Sequence, residues 1–289
     1  MRRLPDLMSR LVVHDDAAHR LGGAVPSPAA AFLLAVIALP SLFWLVMLKR
    51  TTIYTAPEEW LMTNVVEVVH LWVETNLPPL EIAIVGISAF GSGWFVALAF
   101  AALGLLALTR GRRDLALLLA LGTICFPMEW ALKYFTSADA IDVVALVSAM
   151  LNVNDIGLDD IADFPAGHAL RATVLYGIAA FCVARLAHDH RQGQVAYLVA
   201  AVIIGAISAT RIYLGAHYPM DVLGGLIAGA SLLAILVAIH VLRVDERAHA
   251  RELAEQAARP RELAERAANP RRRVAVPRRA PAVPKQPEA

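Results

Sequence analysis

The sequence predicts an all-α integral membrane protein, a bundle of six transmembrane helices. Three observations lead there. Of 289 residues, 58% are hydrophobic and 18% charged, against about 45–50% and about 25% in ordinary soluble domains. Apolar runs of about 20 residues, the length that crosses a bilayer core, recur along the chain. The basic residues between these runs collect on alternate sides, as membrane topology requires.

Residues 1–28 carry Arg2, Arg3, Arg10 and Arg20 and read as a cytoplasmic N-terminal segment. The run at 29–48 is too long, and starts too late, for a cleavable signal, so it reads as a retained anchor. Residues 58–74 set Trp60, Val65, Val68, Val69 and Trp72 among acids at helical spacing, and 80–90 is apolar but short; both read as interfacial. Further spans are expected at 94–108, 114–132, 168–187, 194–210 and 219–242, so the membrane domain covers 29–243. Inside segments then hold Arg110, Arg112, Arg113 and Arg191. Outside segments hold Glu58, Glu59, Glu67, Glu74, Asp139, Asp142, Asp155, Asp159, Asp160 and Asp163, with Lys49, Arg50 and Lys133 as basic exceptions. This pattern expects a multi-pass protein of the inner (cytoplasmic) membrane, and the Ala, Leu and Arg-rich style suggests a bacterial one.

The net charge of +1 hides a segregation, since 12 of the 26 Lys and Arg residues lie from Arg243 to Lys285. In the cytoplasmic tail, 244–289, the near repeat RELAEQAARP and RELAERAANP predicts two short helical pieces interrupted at Pro260 and Pro270. The Pro, Ala and Arg-rich remainder reads as disordered, with anionic lipid headgroups as a partner or with solvent alone. A basic excess confined to one tail argues against nucleic-acid binding. Cys125 and Cys182 lie in apolar runs, too few for a disulfide framework, and read as small buried hydrophobes.

Ionisable residues are costly inside a span, by about 2.5–3.5 kcal/mol each on insertion scales, so those that cannot snorkel mark function. They gather at the outer ends of the last helices: Pro165-Ala166-Gly167-His168 with Arg171, Arg211 to Asp221 with His217 between, and Lys133. Pro165 and Gly167 precede a helix whose N-terminal N–H groups suit a phosphate. Asp221, four residues after His217, can orient its imidazole as a nucleophile. Arg211 and Lys133 can neutralise phosphoryl oxygens, and His168 can protonate the leaving oxygen.

At these residues the sequence resembles the type 2 phosphatidic acid phosphatase family, which shares its phosphate-site architecture with vanadium haloperoxidases. The third motif of that family, Ser-Arg, five residues, His, three residues, Asp, is matched by Arg211, His217 and Asp221, with Thr210 in the Ser position. Its second motif, Pro-Ser-Gly-His, is met by Pro165, Ala166, Gly167 and His168. The resemblance runs through about 80–242 in helix order, including the Gly91-Ser92-Gly93 turn. It implies a phosphohistidine at His217, with Asp221 orienting it, His168 as general acid and Arg211 as a phosphate ligand. The first motif departs: Lys133 is followed by neither of the expected arginines, and Ala166 removes a hydroxyl donor while leaving the backbone N–H groups. Arg171, on the same helix face as His168, is a candidate surrogate phosphate ligand; the other reading is an arginine snorkelling to the interface.

Glu129 either pairs with Lys133 across one turn or faces the lipid pocket. The acids at 155–163 have the spacing of no compact cation cage. His70 and His240 read as locally hydrogen-bonded, His188 and His190 as solvated, and Trp44, Trp60, Trp72, Trp94 and Trp130 as interfacial anchors. The expectation is a membrane lipid phosphatase acting at the outer face, toward the periplasm or exterior, on a lipid phosphate monoester or polyprenyl diphosphate. It needs no metal or other cofactor. A head-group phosphotransferase on the same fold and a non-catalytic lipid-phosphate-binding scaffold are the alternatives.

Overall fold

A computed structural model describes residues 30, 33, 36, 37, 40–43, 55–136, 164–187 and 189–268, with backbone alone for 55 and 245–268. The N-terminal segment, much of the expected first span, His188, the acidic loop 155–163 and the chain after 268 lie outside these residues. What is described of the first span is helical, and Leu42 packs into the core.

Every regular element among the described residues is a helix. In chain order these are α1 (Thr55–Leu61), a π-helical stretch (Met62–Val66), α2 (Glu67–Asn76), α3 (Pro78–Ala89), α4 (Gly93–Thr109), α5 (Arg113–Gly122), α6 (Cys125–Thr136), α7 (Gly167–Leu186), α8 (His190–Tyr213) and α9 (Pro219–Ala268). Pro78 and Pro79 open α3, where a missing N–H costs nothing and the fixed φ suits a helix. Asp189 caps α8 by accepting from the Arg191 N–H at 3.2 Å.

Four helical stretches are long and apolar enough to cross a membrane: Arg113–Thr136, Gly167–Leu186, His190–Tyr213 and Pro219–Val244. A fifth arises if α3 and α4, bent by 55° at their junction, count as one broken span. The six spans expected from sequence are therefore not reproduced among the described residues. The second is the clearest change. At a rise of about 1.5 Å per residue, the 17 residues of α4 reach only about 26 Å, short of a core of about 30 Å. The apolar 80–90 run, expected at the interface, is the other limb of the bend. The expected 114–132 span lies within Arg113–Thr136, with a two-residue turn between α5 and α6. Pro127 has no N–H for the Thr123 carbonyl, which instead accepts from Phe126 at 3.1 Å.

The last helix differs from expectation at Pro260, through which α9 continues to Ala268. Its flanks are rich in Ala, Leu, Glu and Arg, and these strong helix formers hold the run together around one missing donor. The chain divides into two compact units, Met1–Leu242 and Arg243–Ala289.

At the centre of the first unit is α7, which buries residues on all sides and packs against α4, α5, α6 and α8. Against α9 it fits through small residues. A methyl group at Gly225 would lie 2.4 Å from the Ala166 carbonyl oxygen, and one at Gly229 would lie 2.7 Å from Thr173 Cβ. Backbones in a membrane approach this closely only where side chains are absent. Val96, Phe100, Leu118, Leu170, Val174, Ile178 and Phe181 fill the core, with Cys125 fully buried and Cys182 half-buried against it.

Candidate phosphate site

Two chain segments bring the candidate residues together. The first is the start of α7. Phe164 to Ala166 is pinned at both ends: Thr136 Oγ1 on α6 donates to the Phe164 carbonyl at 2.7 Å. The Ala166 N–H donates to the Asp221 carbonyl at 2.8 Å. This second bond corrects one expectation. The Ala166 N–H is engaged by α9 rather than facing a phosphate, and it joins the two motifs. The N–H groups of Gly167 and the residues after it remain the ones a helix start offers to an anion.

The second segment is the turn from α8 to α9. Gly215 takes φ +69°, the left-handed conformation that glycine adopts without steric cost. The chain then curls so that Ala216 and His217 both donate their N–H to the Arg211 carbonyl, at 3.1 and 3.2 Å. Asp221, fully buried in the first turn of α9, accepts from the Tyr218 N–H at 3.1 Å through Oδ2. Glu58 on α1 reaches the same turn and accepts from the Met220 N–H at 2.7 Å, which satisfies an orphan donor and places negative charge at a helix N-terminus.

Arg211, Arg171, His217 and Lys133 are all near enough to His168 to act on it electrostatically. Arg211, His217 and Arg171 are buried, and Lys133 keeps 13% of its side chain exposed. Arg211 donates to Ser88 Oγ on α3 at 3.1 Å. Thr210, in the serine position of the third motif, turns its hydroxyl to the Ile207 carbonyl at 2.6 Å.

Arg171 does not snorkel, being only 3% exposed. Its guanidinium pairs with Glu129, donates from Nε to the Gly91 carbonyl at 3.2 Å, and faces His168 Nδ1 at 3.4 Å. Glu129 also pairs with Lys133 at 3.6 Å, so one buried carboxylate holds two cations. Of the two sequence readings of Glu129, the pairing holds. Both glycines nearby are there for space. A Cβ at Gly167 would lie 1.8 Å from Glu129 Oε1, and one at Gly91 would lie 3.2 Å from His168 Cβ.

Sequence reasoning missed Ser88 and Glu58, whose only local signal is a polar residue in an otherwise apolar or interfacial stretch. His70 does find a local partner, Glu81 at 3.4 Å, and packs on Tyr213, whose hydroxyl donates to Glu81 at 2.7 Å. His240 meets Asp114 at 3.9 Å and Phe181 edge-on.

Comparison with known proteins matches the PAP2 superfamily model to residues 143–245. Both the Pro165 to His168 and the Arg211 to Asp221 segments lie inside that match, whereas Lys133 precedes it. Phosphatidylglycerophosphatase B of Bacillus subtilis (strain 168) is 35% identical over 74 residues, which are 25% of this chain and 36% of that protein. The similarity thus covers well under half the length of that relative. The crystal structure of the first transmembrane PAP2 type phosphatidylglycerolphosphate phosphatase, from Bacillus subtilis, aligns with a TM-score of 0.56. The alignment covers 74% of this chain and 96% of that one, at 22% identity, a likeness of fold.

Proposed function

We propose that this PAP2 superfamily membrane protein is a lipid phosphatase that cleaves a phosphate monoester or diphosphate at the outer face of a bacterial inner membrane. One observation carries the reading. Two histidines from separate motifs share a buried site with three cations and a helix start. Such a site suits phosphoryl transfer, in which charge stabilisation and positioning do most of the work.

In the mechanism that follows, a His217 ring nitrogen attacks phosphorus in line. Asp221 orients the ring and offsets its growing positive charge. Arg211 and Lys133 hold the equatorial oxygens, helped by the backbone of Gly167 and the α7 dipole beyond Ala166, with the Arg171 charge close behind. The bond from phosphorus to the lipid alcohol or lower phosphate breaks, and His168 gives that oxygen a proton. Water, giving a proton back to His168, then attacks the phosphohistidine and releases inorganic phosphate and the free imidazole of His217. No step calls for a metal. The N-terminal segment 1–28 and the tail 244–289 stay outside this chemistry, on the cytoplasmic side.

The departure of the first motif favours a second reading, a head-group phosphotransferase in which a lipid alcohol replaces the water. Purified protein in detergent with EDTA separates the two when offered phosphatidate, phosphatidylglycerophosphate and a polyprenyl diphosphate. Phosphate release that His217→Ala abolishes supports the phosphatase. A new phosphodiester formed only with an added alcohol supports the transferase. Substrate binding with neither product overturns both and leaves a lipid-binding scaffold.

A further inference from the structure

We propose that Ser88 is a further phosphate-contacting residue, its hydroxyl accepting from Arg211 and giving its own proton to a phosphoryl oxygen that Arg211 binds. The inference rests on the phosphate site proposed above. It deepens that site by adding a donor from outside both motif segments.

The Ser88 hydroxyl is used differently from its buried neighbours. Inside a helix, a serine or threonine ordinarily gives its proton to the carbonyl three or four residues earlier. Thr173 does so to Ala169 at 2.7 Å, Thr210 to Ile207 at 2.6 Å and Ser231 to Ile227 at 2.7 Å. Ser88, 5% exposed in the last turn of α3, instead turns across to α8, where Arg211 donates to its Oγ at 3.1 Å. A hydroxyl has one proton to give and lone pairs to receive, and a guanidinium only donates. The contact with Arg211 therefore occupies a lone pair, and among the described residues no group takes the proton. A buried donor left so is costly, and more so than a bond to it is stabilising. An anion bound by Arg211 would lie beside the hydroxyl and accept from it.

Two features of the α3–α4 turn place this proton at the site. First, the turn runs against His168. A Cβ at Gly91 would lie 3.2 Å from His168 Cβ, and the Gly91 N–H donates to the Ser88 carbonyl at 3.0 Å. Ser88 thus links the neighbour of one motif histidine to the cation of the other motif. Second, a helix C-terminus ordinarily presents bare carbonyls, which repel an anion. Here the carbonyls of residues 87 to 91 each accept a hydrogen bond, from Phe90, Gly91, Ser92, Tyr176 and Arg171 in turn. What this end of α3 has left to offer is the Ser88 proton.

The test compares Ser88→Thr with Ser88→Val, side chains of one shape that differ in the hydroxyl, and with Ser88→Ala, which adds no atoms. Full-length protein in detergent is titrated with inorganic phosphate, binding is read by 31P NMR, and the melting temperature shows that each variant is folded. Ser88→Thr should bind within about threefold of the unaltered protein. Ser88→Val and Ser88→Ala should bind about tenfold more weakly, the scale of one hydrogen bond to a charged group. With phosphatidylglycerophosphate as substrate, both should also lose about 100-fold in kcat, as for one preorganised donor. Unchanged phosphate affinity in Ser88→Ala overturns the proposal. In an Arg211→Gln background, Ser88→Ala should still cost about threefold or more in affinity; no further loss shows that Ser88 acts only by holding Arg211, and also overturns it. Absence of phosphate binding by the folded, unaltered protein overturns the site and the proposal together. Hydroxyl-dependent phosphate binding in a protein that turns over no lipid refutes the phosphatase reading and still supports Ser88 as a ligand.

Discussion

The two histidines of the site are placed by different means. His168 is held through side chains, by an arginine, a buried glutamate and two glycines that make room for them. His217 is held through the backbone, in a turn closed on the Arg211 carbonyl and set by the left-handed Gly215. The difference teaches where each half is vulnerable. Side-chain substitutions should disturb the first half most, and changes of backbone freedom the second.

The largest effect should come from Gly167→Ala. Its new methyl would collide with Glu129 and break a buried ion pair, a loss of about 3–5 kcal/mol when one partner is displaced. The expected outcome is a strongly lowered melting temperature in detergent and at least about 100-fold less phosphate release. Adding Glu129→Ala should cost less than the sum of the two changes, because they share one contact. Additive costs would show that the Gly167 and Glu129 positions are independent.

Gly215→Ala should be milder, since a left-handed non-glycine residue costs about 1–2 kcal/mol. Turnover is expected to fall about tenfold, and combining Gly215→Ala with Arg171→Met should add the two losses; coupled losses would mean that the two halves are not separately built. Ala166→Ser restores the hydroxyl expected at the second motif. It should raise kcat by about tenfold, part of the 10²–10³ that one preorganised donor is worth. No gain would show that the departed first motif, rather than Ala166, sets the rate. The smallest change is expected from Glu58→Gln. It removes a charge worth about 0.3–1 kcal/mol at the start of α9, and should alter kcat/KM by about two- to fivefold.

The sequence made much of this arrangement readable, and unevenly so. Arg211, His217 and Asp221 lie within one short stretch, and Pro165 to His168 within another, so spacing alone marks them. Their partners do not share that locality. Glu129 lies 42 residues before Arg171, Gly91 lies 80 before it, and Ser88 lies 123 before Arg211. No periodicity records contacts of that range. Arg171 could be placed on the His168 face of α7, but whether it turned to lipid or inward depended on a carboxylate from another helix. The shape of the second span was hidden for a similar reason. Apolar length was readable, whereas the bend between α3 and α4 depends on how the two limbs pack.

The seam between α7 and α9 has a consequence for traffic. Where Gly225 and Gly229 meet α7 there is no room for a methyl group, and a hydrocarbon chain is wider than that. If the proposed lipid phosphate binds at His168 and His217, its tails cannot lie between these two helices. Such a lipid would then enter by another flank, so the close packing of one wall would decide where the site opens to the bilayer.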